Sequence, residues 1–294
     1  MLAMRHCTVK DVLLPAVKKL QAAKIESASL DVRLLLQHVL KIKSATHLLD
    51  ETHKLSSAQE QQFQMLIEER ICRKPMAHIL GKREFWSLEF TVTEDTLDPR
   101  PDSETLIEAV LEQRFSRAAP LRILDMGTGT GCLILTLLTE FPNATGVAVD
   151  ASEAALSVAS QNAEALSLKN RVEFVKSDWN SAISGVFDIV ISNPPYIASR
   201  DILKLAPEVA LYEPMLALDG GADGLTCYRT IINALPTLLS KDGVAVLEMG
   251  FGQLESLQQL VNEQPLTCTH VRQDLAGIAR AIVIKHKEEI RAAK

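Results

Sequence analysis

The chain has no run approaching the roughly 18 to 20 uninterrupted apolar residues that a membrane-spanning helix needs, and its opening residues, MLAMRHCTVKD, hold none of the apolar core of a secretory signal. A soluble, cytoplasmic protein with no membrane partner is the expectation. Paired cysteine ligands are lacking too. Cys7, Cys72, Cys132, Cys227 and Cys268 are odd in number, widely spaced and form no CxxC, which excludes a zinc or dithiol framework and leaves reduced, mostly buried thiols. The seven histidines include no HExxH and no close pair, so no metal site is expected. A strongly basic face is missing as well. Lys and Arg against Asp and Glu number 12 and 8 over residues 1–80, but 19 and 29 over 81–294, within a net charge of −6. That split fits solvated polar faces and argues against a nucleic-acid clamp or a stable nucleic-acid partner. Internal repeats and low-complexity segments are absent.

What is present is enough apolar residue, 47% of 294, to fill a substantial core, in two domains or one large one. Over residues 8–73 apolar positions recur at three and four, in VLLPAVKKL and LDVRLLLQHVL, which predicts a bundle of four or five helices. Ser57 followed by Glu60 has capping-box spacing ahead of FQMLIEERI. Between 80 and 98, FWSLEFTVTED turns aromatic and β-branched, as in a hairpin linking two domains. The expected layout is a helical domain at 1–79, a β-hairpin linker at 80–98 and a second domain at 99–294.

The second domain alternates strand-like and helical segments, the mark of an α/β fold with a mainly parallel sheet. Strands are expected at LRILDM, TGVAVD, RVEFVKS, FDIVISN, GVAVLEM and ARAIVIKH, with helices at about 105–117, 131–140, 152–166 and 225–239. The first of these strands runs into Gly127-Thr128-Gly129-Thr130-Gly131 at a strand-to-helix turn, where glycine lets the backbone approach a ligand. Cys132 breaks the dinucleotide pattern GxGxxG, which makes a nicotinamide cofactor the poorer fit. Asp150 ends the next strand, where an acid can accept both ribose hydroxyls of an adenosine. Asp178 and Trp179 follow the third, where an adenine could stack. Each feature alone has a bland reading, as a turn, a helix cap or a core ring; in order after successive strands they describe an adenosine site.

Asn193-Pro194-Pro195-Tyr196 closes the fourth strand. The prolines carry no N–H and fix φ, so the loop offers acceptors: the Asn193 carboxamide oxygen and the Pro194 carbonyl can take the two hydrogens of an incoming NH2. Tyr196 adds a ring face for a flat amide or base. Beside an adenosine site this predicts methyl transfer from S-adenosyl-L-methionine to a planar amide or amino nitrogen, driven by positioning and by exclusion of water, with no general base named.

RKPMAHILGKREFWSLEFTV, PRPDSETL, LDMGTGTGC, FDIVISNPPYI, YEPMLALDGGADGL and LEMGFGQ together resemble the HemK/PrmC family of release-factor glutamine N5-methyltransferases over nearly all of the chain. The resemblance implies a Rossmann-like S-adenosylmethionine-dependent domain. It also implies a helical domain that engages peptide chain release factors and a Gly-Gly-Gln glutamine as substrate. By the family pattern Gly127 to Gly131, Asp150, Trp179 and Asn193 contact the cofactor, while Asn193 to Tyr196 hold the glutamine. Three departures stand out: Asp98 where the family is usually apolar, Ser103 for the usual Thr, and AGIARAIV without the charged pair common before its arginine. Three alternatives remain open: methylation of a ribosomal-protein glutamine, methylation of a nucleic-acid adenine, and a binding module that keeps the cofactor without catalysis. The sequence sets no oligomeric state; a monomer is the expectation.

Overall fold

A computed structural model of the protein describes residues 7–42 and 52–287. The chain divides into two compact units, one built from the chain up to Gly81 together with Ala206–Tyr212, the other from Lys82–Leu205 and Glu213 onward. Among the described residues the first unit holds helices α1 (Val9–Ala22), α2 (Ala28–Leu40), α3 (Ser57–Ile71) and α4 (Met76–Leu80). Their three-and-four spacing places Val12, Ala16 and Leu20 of α1, Leu35 and Leu36 of α2, and Phe63 and Ile67 of α3 in one buried cluster. Positions 43–51 of the expected helical stretch lie outside the described residues. The cap of α3 is shifted one residue from the expectation: Ser56, not Ser57, accepts from the Gln59 N–H at 3.3 Å, and the Gln59 side chain accepts from the Ser56 N–H at 2.9 Å. Both registers satisfy the box spacing, and the local pattern does not choose between them.

The second unit opens with the hairpin β1 (Lys82–Phe85) and β2 (Leu88–Thr91). Its two-residue turn puts Trp86 and Ser87 at positive φ, 52° and 59°, a conformation that L residues adopt at a cost. Hydrogen bonds offset that cost, from the Trp86 backbone to Glu104 at 2.8 Å and from its indole to Glu140 at 2.7 Å. The elements that follow are α5 (Glu104–Leu111), β3 (Arg122–Met126), α6 (Cys132–Glu140), β4 (Thr145–Asp150), α7 (Glu153–Ala165), β5 (Val172–Lys176) and β6 (Phe187–Ser192). A short turn α8 (Pro207–Ala210) belongs to the first unit; α9 (Thr226–Leu238), β7 (Leu239–Glu248), α10 (Leu254–Asn262), β8 (Leu266–Gln273) and β9 (Ala279–His286) complete the second.

Seven strands form one sheet in the order β5-β4-β3-β6-β7-β9-β8, with β3 to β7 parallel and β9 antiparallel to both neighbours. This is the expected Rossmann-like α/β fold, its sheet mixed at one edge. Strand order reverses between β3 and β6, so the crevice that such sheets use for ligands opens at the carboxyl ends of those two strands. The glycine turn and Asn193 therefore meet. Three elements lay outside the expected set: the short α8, β8 and α10. β8, LTCTHVRQ, is an edge strand with only Leu266 fully buried, and α10 buries Leu257 and Val261 with Leu254 and Leu260 packed beside them. The thiols also differ from expectation: Cys72 is exposed and the other four are half-buried, because each sits where an element meets a loop or an edge.

Candidate active site

The turn after β3 is pinned before any ligand enters. The N–H groups of Gly127 and Thr128 both donate to the Val149 carbonyl at 2.8 Å, and the Asn162 amide donates to the Thr130 carbonyl at 2.9 Å. Gly127, Gly129 and Gly131 all have positive φ, 77°, 54° and 80°, but they answer different needs. A Cβ on Gly131 would stand 3.1 Å from Leu135 and 3.2 Å from Ala159, so this glycine lets α6 approach α7. A Cβ on Gly129 would meet nothing within 4 Å and would project into open space.

That space is a cavity of about 320 Å³. Of the residues singled out in the sequence, it is lined by Gly127 to Thr130, Asp150, Asp178, Trp179, Asn193 and Pro195; Gly131, Pro194 and Tyr196 stand outside the lining. Asp150 accepts the Gly129 N–H on one oxygen and the Ser152 N–H on the other, both at 2.9 Å, and each oxygen keeps lone-pair capacity for a hydroxyl. The Trp179 ring comes to 3.7 Å of where a Gly127 Cβ would be. Below the turn, Asp125 is fully buried and bonded by Thr128 at 2.7 Å; burial pushes its carboxyl up to about 7.

On the opposite wall the loop after β6 is held from behind. Gln253 donates to the Tyr196 carbonyl at 3.0 Å, and the segment around Asp219 laces to Ile197 through bonds of 3.1 and 2.9 Å. Glycine is required there: a Cβ on Gly224 would fall 2.5 Å from the Tyr196 carbonyl oxygen, and one on Gly220 2.9 Å from that of Pro195. Tyr196 turns its hydroxyl inward, 3.4 Å from the buried carboxylate of Glu248, and burial together with that neighbour raises the phenol well above its ordinary value. Asn193 directs its amide nitrogen to Ser103 Oγ at 3.3 Å, and Ser103 in turn donates to Glu248 at 2.5 Å. Ser103, Glu248 and Gln253 were given no role in the sequence reading. For Glu248 a signal existed, since it ends a strand on the carboxyl side of the sheet, as Asp150 does.

Known proteins resemble the chain throughout. Residues 11–81 match the PrmC N-terminal domain and residues 91–211 the methyltransferase small domain. A release factor glutamine methyltransferase of Cereibacter sphaeroides is 43% identical over 272 residues, 92% of this chain and 96% of its own. Its counterpart from Rhodospirillum rubrum is 41% identical over 92% of this chain and 82% of its own. The chain belongs to the HemK/PrmC family. Among solved structures, the hMettl16 catalytic domain in complex with a 3'UTR hairpin aligns with a TM-score of 0.56 at 17% identity, over 74% of this chain and 84% of that one; the likeness is one of fold.

HemK/PrmC proteins are S-adenosylmethionine-dependent methyltransferases, and the cavity fits that cofactor. Its charged lining is Glu94, Asp95, Asp150, Asp178 and Asp219 against the lone base Arg100. A wall so acidic favours a sulfonium cation and opposes the anionic pyrophosphate of a dinucleotide. The family departures are also accommodated. Asp98 is buried but faces Arg83 at 3.6 Å and Arg100 at 3.9 Å, Ser103 keeps the hydroxyl, and Arg280 of AGIARAIV pairs with Asp274 at 2.9 Å and Asp102 at 3.3 Å. No helix among the described residues is long and apolar enough to cross a membrane.

Proposed function

We propose that this chain methylates the side-chain amide N5 of the glutamine in the Gly-Gly-Gln motif of translation release factors, with residues 1–79 engaging the factor. The names of its relatives support this substrate, and one observation supports the chemistry: Asn193 lines the cavity with its NH2 end tied to Ser103, which turns Oδ1 the other way as an acceptor. An incoming carboxamide needs such acceptors, because its lone pair is delocalised and its nitrogen must first be aimed at the methyl carbon; as the N–C bond forms and the S–C bond breaks, the nitrogen sheds one proton to solvent.

In this reading Gly127 to Gly131, Asp150 and Trp179 bind the cofactor. Bound there, S-adenosylmethionine supplies a methyl group already activated on sulfur. The Asn193 Oδ1 and the Pro194 carbonyl take the two amide protons, the missing N–H groups of Pro194 and Pro195 keep competing donors out of the loop, and Tyr196 stiffens it from behind. Positioning of this kind supplies roughly 7 to 11 kcal/mol of barrier reduction.

The test is transfer of labelled methyl to a release factor carrying Gln or Ala at the motif. Label on the Gln form alone, with the added mass on that side chain, is expected. Equal labelling of both refutes the proposal, and transfer only to a ribosomal protein or to nucleic acid replaces the substrate.

A further inference from the structure

A carboxamide presents a donor at one end and an acceptor at the other, and the two have nearly the same shape, so a site that uses one end must forbid the flipped rotamer. The structure contains a device for this, provided that Asn193 is the acceptor-binding side chain proposed above. Ser103 has one hydroxyl proton, and its oxygen lies 2.5 Å from Glu248 Oε2. An ionised carboxylate only accepts, so the proton is committed to that contact. The serine oxygen then has only lone pairs to offer Asn193, whose Nδ2 stands 3.3 Å away. A flipped Asn193 would set its carbonyl oxygen against lone pairs.

The second Glu248 oxygen, Oε1, takes the Tyr196 hydroxyl at 3.4 Å, and the Glu248 main-chain carbonyl takes the Tyr228 hydroxyl at 2.8 Å. One buried carboxylate thus reaches both ends of the Asn193–Tyr196 loop. We propose that Glu248 is a positioning residue that fixes the polarity of the Asn193 carboxamide through Ser103, so that Oδ1 is always the end offered to the methyl-accepting NH2.

The state of Glu248 then matters. Protonated, it could donate to Ser103, release the serine proton toward Asn193 and allow either amide orientation. The charged or titratable groups facing it are Arg280 of β9, Asp102 beside Ser103, Tyr196, Tyr228 of α9 and Cys132 at the start of α6. Burial pushes Glu248 up to about 7, against the opposing pull of the Ser103 bond, Arg280 and Tyr196. Activity should therefore rise as pH passes through the neutral range.

The experiment measures kcat and KM toward a purified release factor from pH 6 to 9, together with S-adenosylmethionine affinity by calorimetry, for E248Q, S103A, S103T and S103A/E248Q. E248Q is isosteric, and a roughly 10- to 100-fold fall in kcat with cofactor affinity held within about threefold is expected from one misdirected buried dipole. The neutral limb of the pH profile should vanish in E248Q, and the double variant should be no worse than E248Q by more than about threefold, because both changes cut one chain of bonds. S103T, which keeps the hydroxyl, should recover most of what S103A loses. Additive losses, a neutral limb that survives in E248Q, or equal behaviour of S103A and S103T would overturn the proposal. Should E248Q fail to fold, the contrast of S103A with S103T decides alone. N193A separates the two layers of argument: full activity there removes the reading of the acceptor loop, whereas an inactive N193A beside a fully active E248Q removes only the role of Glu248.

Discussion

Asp150 has two tasks that compete for the same oxygens, and both are visible in its bonds. It fixes the glycine turn by accepting the Gly129 and Ser152 N–H groups, and it must still accept ribose hydroxyls with what remains. Replacing it removes the charge-assisted contacts to the cofactor and loosens the Gly129 N–H at once. Asp150→Ala should weaken S-adenosylmethionine binding by roughly 1.5 to 3 kcal/mol, measured by calorimetry; an unchanged dissociation constant would remove Asp150 from the site. Gly224 carries a different kind of necessity. Its φ is 76° and a Cβ would sit 2.5 Å from the Tyr196 carbonyl oxygen, so alanine must push the acceptor loop away from Gln253. Gly224→Ala should lower kcat by roughly 10-fold or more, since small misplacement of a reacting group is costly. Cofactor affinity should stay near the wild-type value, because Gly224 is not in the cavity lining; a weakened cofactor with intact kcat would show that the strain runs elsewhere.

Among the elements, the segment Ala206–Tyr212 is held in the helical unit by charge. Arg70, nearly buried on α3, bonds Asp31 of α2 at 2.7 Å and Glu208 of α8 at 3.1 Å, while Arg73 takes the other Glu208 oxygen at 2.7 Å and Tyr212 donates to the Cys72 carbonyl at 2.6 Å. Removing Arg70 would leave the Asp31 carboxylate buried without its partner, a loss of about 3 to 5 kcal/mol. Arg70→Met should show it in chemical denaturation, and Arg70→Met with Asp31→Leu should recover part of it; a loss below 1 kcal/mol would mean, by the usual worth of exposed pairs, that water reaches the site. No periodicity argument could have found this clasp, because Glu208 lies 138 residues from Arg70. The elements with strong patterns were legible. β3, β4 and β6 are buried on both faces and read as apolar runs, and the chemistry of the glycine turn and of Asn-Pro-Pro is local. β8 was not, since an edge strand buries too few side chains to set a period, while α10 does show one in Leu254, Leu257 and Val261 that went unused. The roles of Ser103 and Gln253 were illegible for the same reason as the clasp, each being defined by a partner far along the chain, whereas Glu248 was marked by its place at the carboxyl end of β7.

At the scale of the whole molecule, three buried acids share one direction of displacement. Burial pushes Asp125 up to about 7, Glu213 up to about 7 against the pull of Arg100, and Glu248 up to about 7 against Ser103 and Arg280. A carboxyl whose folded value lies above its unfolded one holds its proton more tightly when folded. Its contribution to stability is complete below the unfolded value near 4, and it is lost as pH climbs through 7. The acids with lowered values, Glu208, Asp223 and Asp274 among them, act only on the far side, costing stability when the pH falls below about 4. Thermal stability should therefore peak near pH 5 and decline toward pH 8, by an amount on the order of a few kcal/mol. The rate should follow the opposite trend, because Glu248 orients Asn193 only when ionised. Activity and stability should thus cross in the neutral range, the trade expected when a buried charge serves a site at the expense of the fold that encloses it. Melting temperatures at matched ionic strength from pH 5 to 8.5 check this directly. Glu213→Gln together with Glu248→Gln should flatten the decline, while a slope unchanged by the pair would mean that neither carboxyl titrates in this range.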